Sequence, residues 1–177
     1  MLAFLGLVER SYLTSEKERI TKMQKKYTGF LVVAMALTTI LATIGVAMAW
    51  NFTVPAVEVK PVNGAFVFPV ASFEDGKARH FEYRPSPNQA IRFFVVKSTD
   101  GVIRAAFDAC EQCFRAKKGY VQQRDDMICI NCGLKFRTDK VNIVTGGCNP
   151  SALKRAIEGP NVVITQQDVV AGLRYFQ

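Results

Sequence analysis

Histidine and tryptophan are almost missing from this chain of 177 residues: His80 and Trp50 each stand alone. No Ser-His-Asp arrangement, no paired-carboxylate signature and no glycine-rich phosphate loop is present, so the common sequence marks of hydrolytic and nucleotide-dependent chemistry are absent. His80 sits in a strand-like run far from any other ligand-type cluster and reads as a structural residue rather than a ligand. There is no low-complexity tract, and the only internal repetition is a doubled cysteine pair. Charge is missing from one stretch as well: between Thr28 and Val57 there is no Asp, Glu, Lys or Arg.

That uncharged stretch contains GFLVVAMALTTILATIGVAMAW, residues 29–50. A helix needs about 20 such residues to cross a bilayer, and a buried core helix is usually shorter and one-sided. A cleaved signal peptide is the nearer rival, because Ala47-Met48-Ala49 resembles a small-x-small cleavage site. The apolar run is longer than a signal core, however, and a long segment precedes it, which favours an uncleaved anchor over residues 28–50. Arg10, Lys17, Arg19, Lys22, Lys25 and Lys26 precede it, and no cation follows until Lys60. The positive-inside rule then puts residues 1–27 in the cytoplasm, makes 51–63 a linker and places a domain of residues 64–177 on the outer side of a cell membrane. The formal charge of +8 would suit nucleic acid, but an outward domain does not meet it; bilayer contact and steering of anions remain.

What the chain does have is five cysteines close together: Cys110-x-x-Cys113, Cys129-x-x-Cys132, then Cys148. Two Cys-x-x-Cys pairs 15 residues apart predict a four-thiolate knuckle of the zinc-ribbon or rubredoxin kind, because each short turn aims two sulfurs at one ion. Gly133 after the second pair favours a turn whose N–H groups face sulfur. Two disulfides or redox dithiols are the competing readings, since an exterior compartment is oxidising. Cys148, after Gly146-Gly147, has no place in a closed tetrahedron; it reads as a further ligand, a redox partner or an inert thiol. Neither common ferredoxin spacing is present, so spacing favours a mononuclear ion and leaves zinc against iron open. Asp108, Asp125 and Asp126 flank the knuckles, Lys117, Lys118 and Arg124 lie between them, and Tyr120 is placed to pack over the site.

The rest predicts a mainly β (α+β) domain. Strands are expected in residues 65–73, with Pro69 marking an edge or bulge, in 78–83, in 90–97 and 102–108 around a hairpin loop at 98–101, and in 161–165. Val57 begins a short extra strand. Residues 151–155 read as a helical turn, and 168–176 as a short helix with Asp168 near its N-cap. The segment 109–150 has too little apolar material for a core of its own.

At RFFVVKSTDGVIRAAFDACEQCFRAKKGYVQQRDDMICINCGLKF, then GGCNPSALK and the terminal VVIT and DVVAGLRYF, the chain resembles the FtrD-like membrane iron–sulfur proteins. The resemblance covers most of residues 75–177. It implies a membrane protein with an iron–sulfur or mononuclear iron centre, accessory to ferrous iron transport, working beside an iron permease, a periplasmic metal-binding protein and a cupredoxin-like protein. It implies electron transfer or iron handling rather than enzymatic turnover. The family's cysteines fall on Cys110, Cys113, Cys129, Cys132 and Cys148. Some relatives have several N-terminal spans where this chain has one, so an electron partner would be a separate protein. A structural zinc subunit and a thiol–disulfide redox protein are the alternatives.

Overall fold

The apolar run at residues 90–96 becomes the centre of the β-rich part of the chain. The computed structural model describes residues 54–177 and, upstream, Arg19, residues 21–28, Leu31 and Met35. The chain divides into two units, Met1–Phe52 and Thr53–Gln177. In the first, the described residues are helical, and the Thr28 hydroxyl donates back to the carbonyls of Gln24 (2.7 Å) and Lys25 (3.1 Å). Met23, Tyr27, Leu31 and Met35 are exposed apolar residues at four-residue intervals, on one helix face. Among the described residues no helix is long and apolar enough to cross a membrane. Most of the expected segments 1–27 and 28–50, and the start of the 51–63 linker, lie outside the described residues.

The second unit is mainly β. Its first sheet orders β1 (Val57–Glu58), β3 (Arg79–Ser86), β4 (Gln89–Lys97) and β5 (Ile103–Phe107) side by side. β1 pairs parallel to β3, while β3, β4 and β5 form antiparallel hairpins with Phe81 opposite Phe93 and Phe93 opposite Phe107. The β3–β4 register breaks between Tyr83 and Ser86, where Pro85 has no N–H to give. The second sheet orders β2 (Ala65–Pro69), β10 (Asn161–Thr165) and β9 (Ala156–Glu158). Pro69 closes β2, an edge strand, as its missing donor requires. The third sheet is a small antiparallel ribbon of β6 (Tyr120–Gln123), β7 (Asp126–Cys129) and β8 (Lys135–Arg137).

β4 explains its own composition. Side chains alternate across a strand. Ile91, Phe93 and Val95 enter the large core with Phe66, Phe73, Phe81, Val162 and Ile164. Phe94 and Val96 enter a second cluster with Tyr120, Met127, Val141, Cys110 and Cys129. The strand is covered on both sides, so it reads as a continuous apolar run rather than an alternating one. The cysteine-rich segment thus builds its small core with residues borrowed from β4 and β5, not from its own sequence alone.

Two C-terminal expectations are corrected. Residues 151–155 form no helical turn: β5 is an edge strand whose free groups pair with them instead, through Phe107 N–H to Ser151 O (2.8 Å) and Leu153 N–H to Ala105 O (3.4 Å). The terminal helix is Gln166–Val170, followed by a 3-10 turn over Leu173–Tyr175. Its N-cap is Thr165, whose hydroxyl oxygen accepts from Asp168 N–H at 3.0 Å, and Asp168 stands in the first turn.

Candidate metal centre

β5 delivers the first knuckle. Past Phe107 the chain turns away from the sheet, burying Cys110 and leaving Cys113 half-buried. The Cys113 N–H donates to Cys110 Sγ at 3.1 Å. A 3-10 turn, Phe114–Ala116, follows, ending on Lys117 in the left-handed region at φ 54°. β7 delivers the second knuckle: Cys129 is its last, buried residue, and Cys132 is exposed. Gly133 has φ 74° and donates to Cys129 O at 2.8 Å. At the second knuckle the backbone N–H groups of Cys132 and Asn131 favour the thiolate of Cys129, and that of Leu134 favours the thiolate of Cys132. The first turn thus carries an N–H···S bond of the kind that stabilises thiolates.

The third approach depends on Gly146 and Gly147. Their φ values of 85° and 61° are accessible at little cost only to glycine in succession. They bring Cys148 Sγ to 3.8 Å from Cys113 Sγ. The five sulfurs fall into two overlapping groups, Cys110–Cys113–Cys148 and Cys113–Cys129–Cys132, with ligand atoms within 4.8 Å of one another in each. Cys113 belongs to both. All five cysteines singled out in the sequence are thus brought together, and Cys148, which a closed tetrahedron had no place for, joins the first pair. His80 is in neither group. The donor set suits zinc, iron or an iron–sulfur centre, since both groups are purely thiol.

The thiols differ electrostatically. Burial, and next to it the Cys132 thiol, pushes Cys129 up to about 12. Burial, then Cys132 and Cys113, pushes Cys148 up to about 12. Burial also opposes ionisation of Cys132, but the Leu134 N–H and the thiols of Cys129, Cys148 and Cys113 outweigh it and hold this group below its usual value. Tyr120 packs over the site as its position suggested: its ring is buried, and its hydroxyl donates to Cys148 O at 2.7 Å. Burial first, then Cys110, drives that hydroxyl above the usual tyrosine range.

One residue flanking the knuckles does more than its place in the sequence indicated. Asp108 is buried, not solvated like an ordinary loop acid. It accepts from Tyr120 N–H at 2.7 Å, and Arg92 and His80 lie 3.4 and 3.5 Å from its other oxygen. A Cβ on Gly119 would lie 2.4 Å from the carboxylate, so only glycine fits there. Asp108 thus ties the sheet, the first knuckle and the ribbon to one another.

A family model described as "Membrane iron-sulfur containing protein FtrD-like" matches residues 73–176, more than half of the chain. No curated protein and no solved structure matches it.

Proposed function

Since the chain belongs to the FtrD-like family of membrane iron–sulfur proteins, we propose that its five cysteines hold an iron centre used for electron transfer or iron handling beside a ferrous iron transporter. The observation that carries this reading is the convergence of all five sulfurs in two groups joined at Cys113. A bound iron–sulfur or mononuclear iron centre would supply one-electron redox chemistry. The chain's own part is to supply soft donors, to bury Cys110 and Cys129, and to aim N–H groups at the sulfurs, which favours a negatively charged site. In this reading the knuckle after β5 and the knuckle after β7 are paired in the manner of a zinc ribbon, with Cys148 added.

In this reading residues 28–50 anchor the chain, residues 1–27 face the cytoplasm and the β domain faces outward. The helical, exposed Leu31 and Met35 support an apolar surface in that segment. The partners are then an iron permease and extracytoplasmic metal-binding proteins.

A second reading rests on the small core. Cys110 and Cys129 are buried among Phe94, Tyr120, Met127 and Val141, as they would be if zinc merely held the ribbon together. Metal analysis and a visible spectrum of the full chain, purified in detergent without oxygen, separate the two. Iron with acid-labile sulfide, or iron with a thiolate charge-transfer band, supports the redox reading. Colourless protein loaded with zinc alone overturns it in favour of the structural one.

A further inference from the structure

A cavity of about 290 Å³ opens against one side of the cysteine cluster. Cys110, Cys113 and Cys129 line it, whereas Cys132 and Cys148 do not. It is thus a space beside the sulfurs and not the gap among all five. Its volume is at the lower end of small-molecule sites.

The charge of its wall is one-sided. Arg84, Arg92 and Lys117 line it, against a single carboxylate, Asp108. That carboxylate is already engaged by Tyr120 N–H, His80 and Arg92. Arg84 is matched by Glu82 and Glu58. Arg92 is only partly matched: one terminal nitrogen serves Val54 O and Asp108, while its buried Nε has no partner. Lys117, exposed, makes no ion pair among the described residues and stands at the end of the 3-10 turn. A guanidinium only partly matched, on one wall with an ammonium group that makes no ion pair, leaves the cavity with unbalanced positive charge and points to an anionic ligand.

Part of the remaining wall is aromatic. Phe114 and Tyr175 meet edge to face at 6.0 Å, and Phe176 joins them. We propose that this cavity binds a small organic anion, its carboxylate held by Arg92 and Lys117 and its flat apolar body set against Phe114, Tyr175 and Phe176. The cations make it possible for a second negative group to approach the thiolates. The inference concerns the cavity alone and does not depend on which metal the thiols hold.

The test is saturation-transfer NMR and calorimetry on the full chain in detergent, purified anaerobically with its metal, using benzoate as the probe and citrate and inorganic phosphate for comparison. Saturable benzoate binding is expected, weaker by about tenfold in Lys117→Ala, the loss of one charge-assisted contact. Phe114→Ala should weaken benzoate more than phosphate. Arg92→Gln tests the second cation, and because Arg92 also supports Asp108, the exposed Lys117 keeps the question answerable if that variant fails to fold. Absence of saturable binding overturns the proposal, as does equal affinity in Lys117→Ala. Phosphate binding as tightly as benzoate overturns the organic part. Binding seen only after the metal is stripped would make the cavity part of the metal centre, and so overturns it too.

Discussion

At the scale of single residues, the cysteines are not equivalent. Cys113 is common to both sulfur groups, whereas Cys148 serves one. Cys113→Ser should therefore lose most of the bound metal and Cys148→Ser a smaller part, measured as metal per chain; equal losses would contradict the shared role. In metal-free protein, Cys132 is exposed and its thiol lies below the usual value, while Cys129 and Cys148 are pushed up to about 12. Brief alkylation near pH 8 should mark Cys132 first, as peptide mass spectrometry would show. Asp108→Ala leaves Tyr120 N–H and the Arg92 charge without their buried partner, a loss of about 3 kcal/mol by analogy with broken buried pairs, read from denaturant unfolding. The cysteines were legible because their spacing is local. Asp108 was legible as a neighbour of the knuckles but not as their buried tie, because its partners on β3, β4 and β6 reach it only through strand register, which no local pattern encodes.

At the scale of elements, β4 divides its side chains between two cores. Phe93→Ala and Phe94→Ala should each destabilise the fold by about 3–5 kcal/mol, but with different local effects. Phe94 lies under the ribbon, so its loss should raise the reactivity of Cys110 and Cys129 toward a thiol reagent, and Phe93→Ala should do so much less. A similar rise in both variants would mean that the two cores are not separate in the way the packing indicates. Strands β3, β4, β5 and β10 were readable because each is rich in branched and aromatic residues. The ribbon strands YVQQ and KFR were not: they are short and polar, and they exist because β4 gives them something to pack on. The terminal helix was placed but its cap was not, since Thr165 also ends β10.

At the scale of the whole molecule, stability and location are the properties to measure. Cys129 and Cys148 titrate near 12 in the fold against 9.0 for an unperturbed thiol. Their contribution to the metal-free protein is complete below about pH 9 and is lost as the pH rises from there toward 12, because the unfolded thiols ionise first. Cys132, held below its usual value, works the other way and adds stability as the pH approaches 9; denaturation midpoints should therefore not fall below about pH 8.5 and should fall above it, and a flat profile to pH 11 would remove these thiols from the account. The full chain should stay with membranes through an alkaline carbonate wash, and a chain starting at residue 53 should not. The two-sided burial of β4 also bears on how the chain comes into being. Synthesis runs from the N-terminus, so the IRFFVV segment is complete before the ribbon that covers Phe94 and Val96 has been made. For that interval a β-rich stretch with a single charge, Arg92, presents a bare face of the kind that seeds aggregation, and any chain cut short before Tyr120 would keep that face bare.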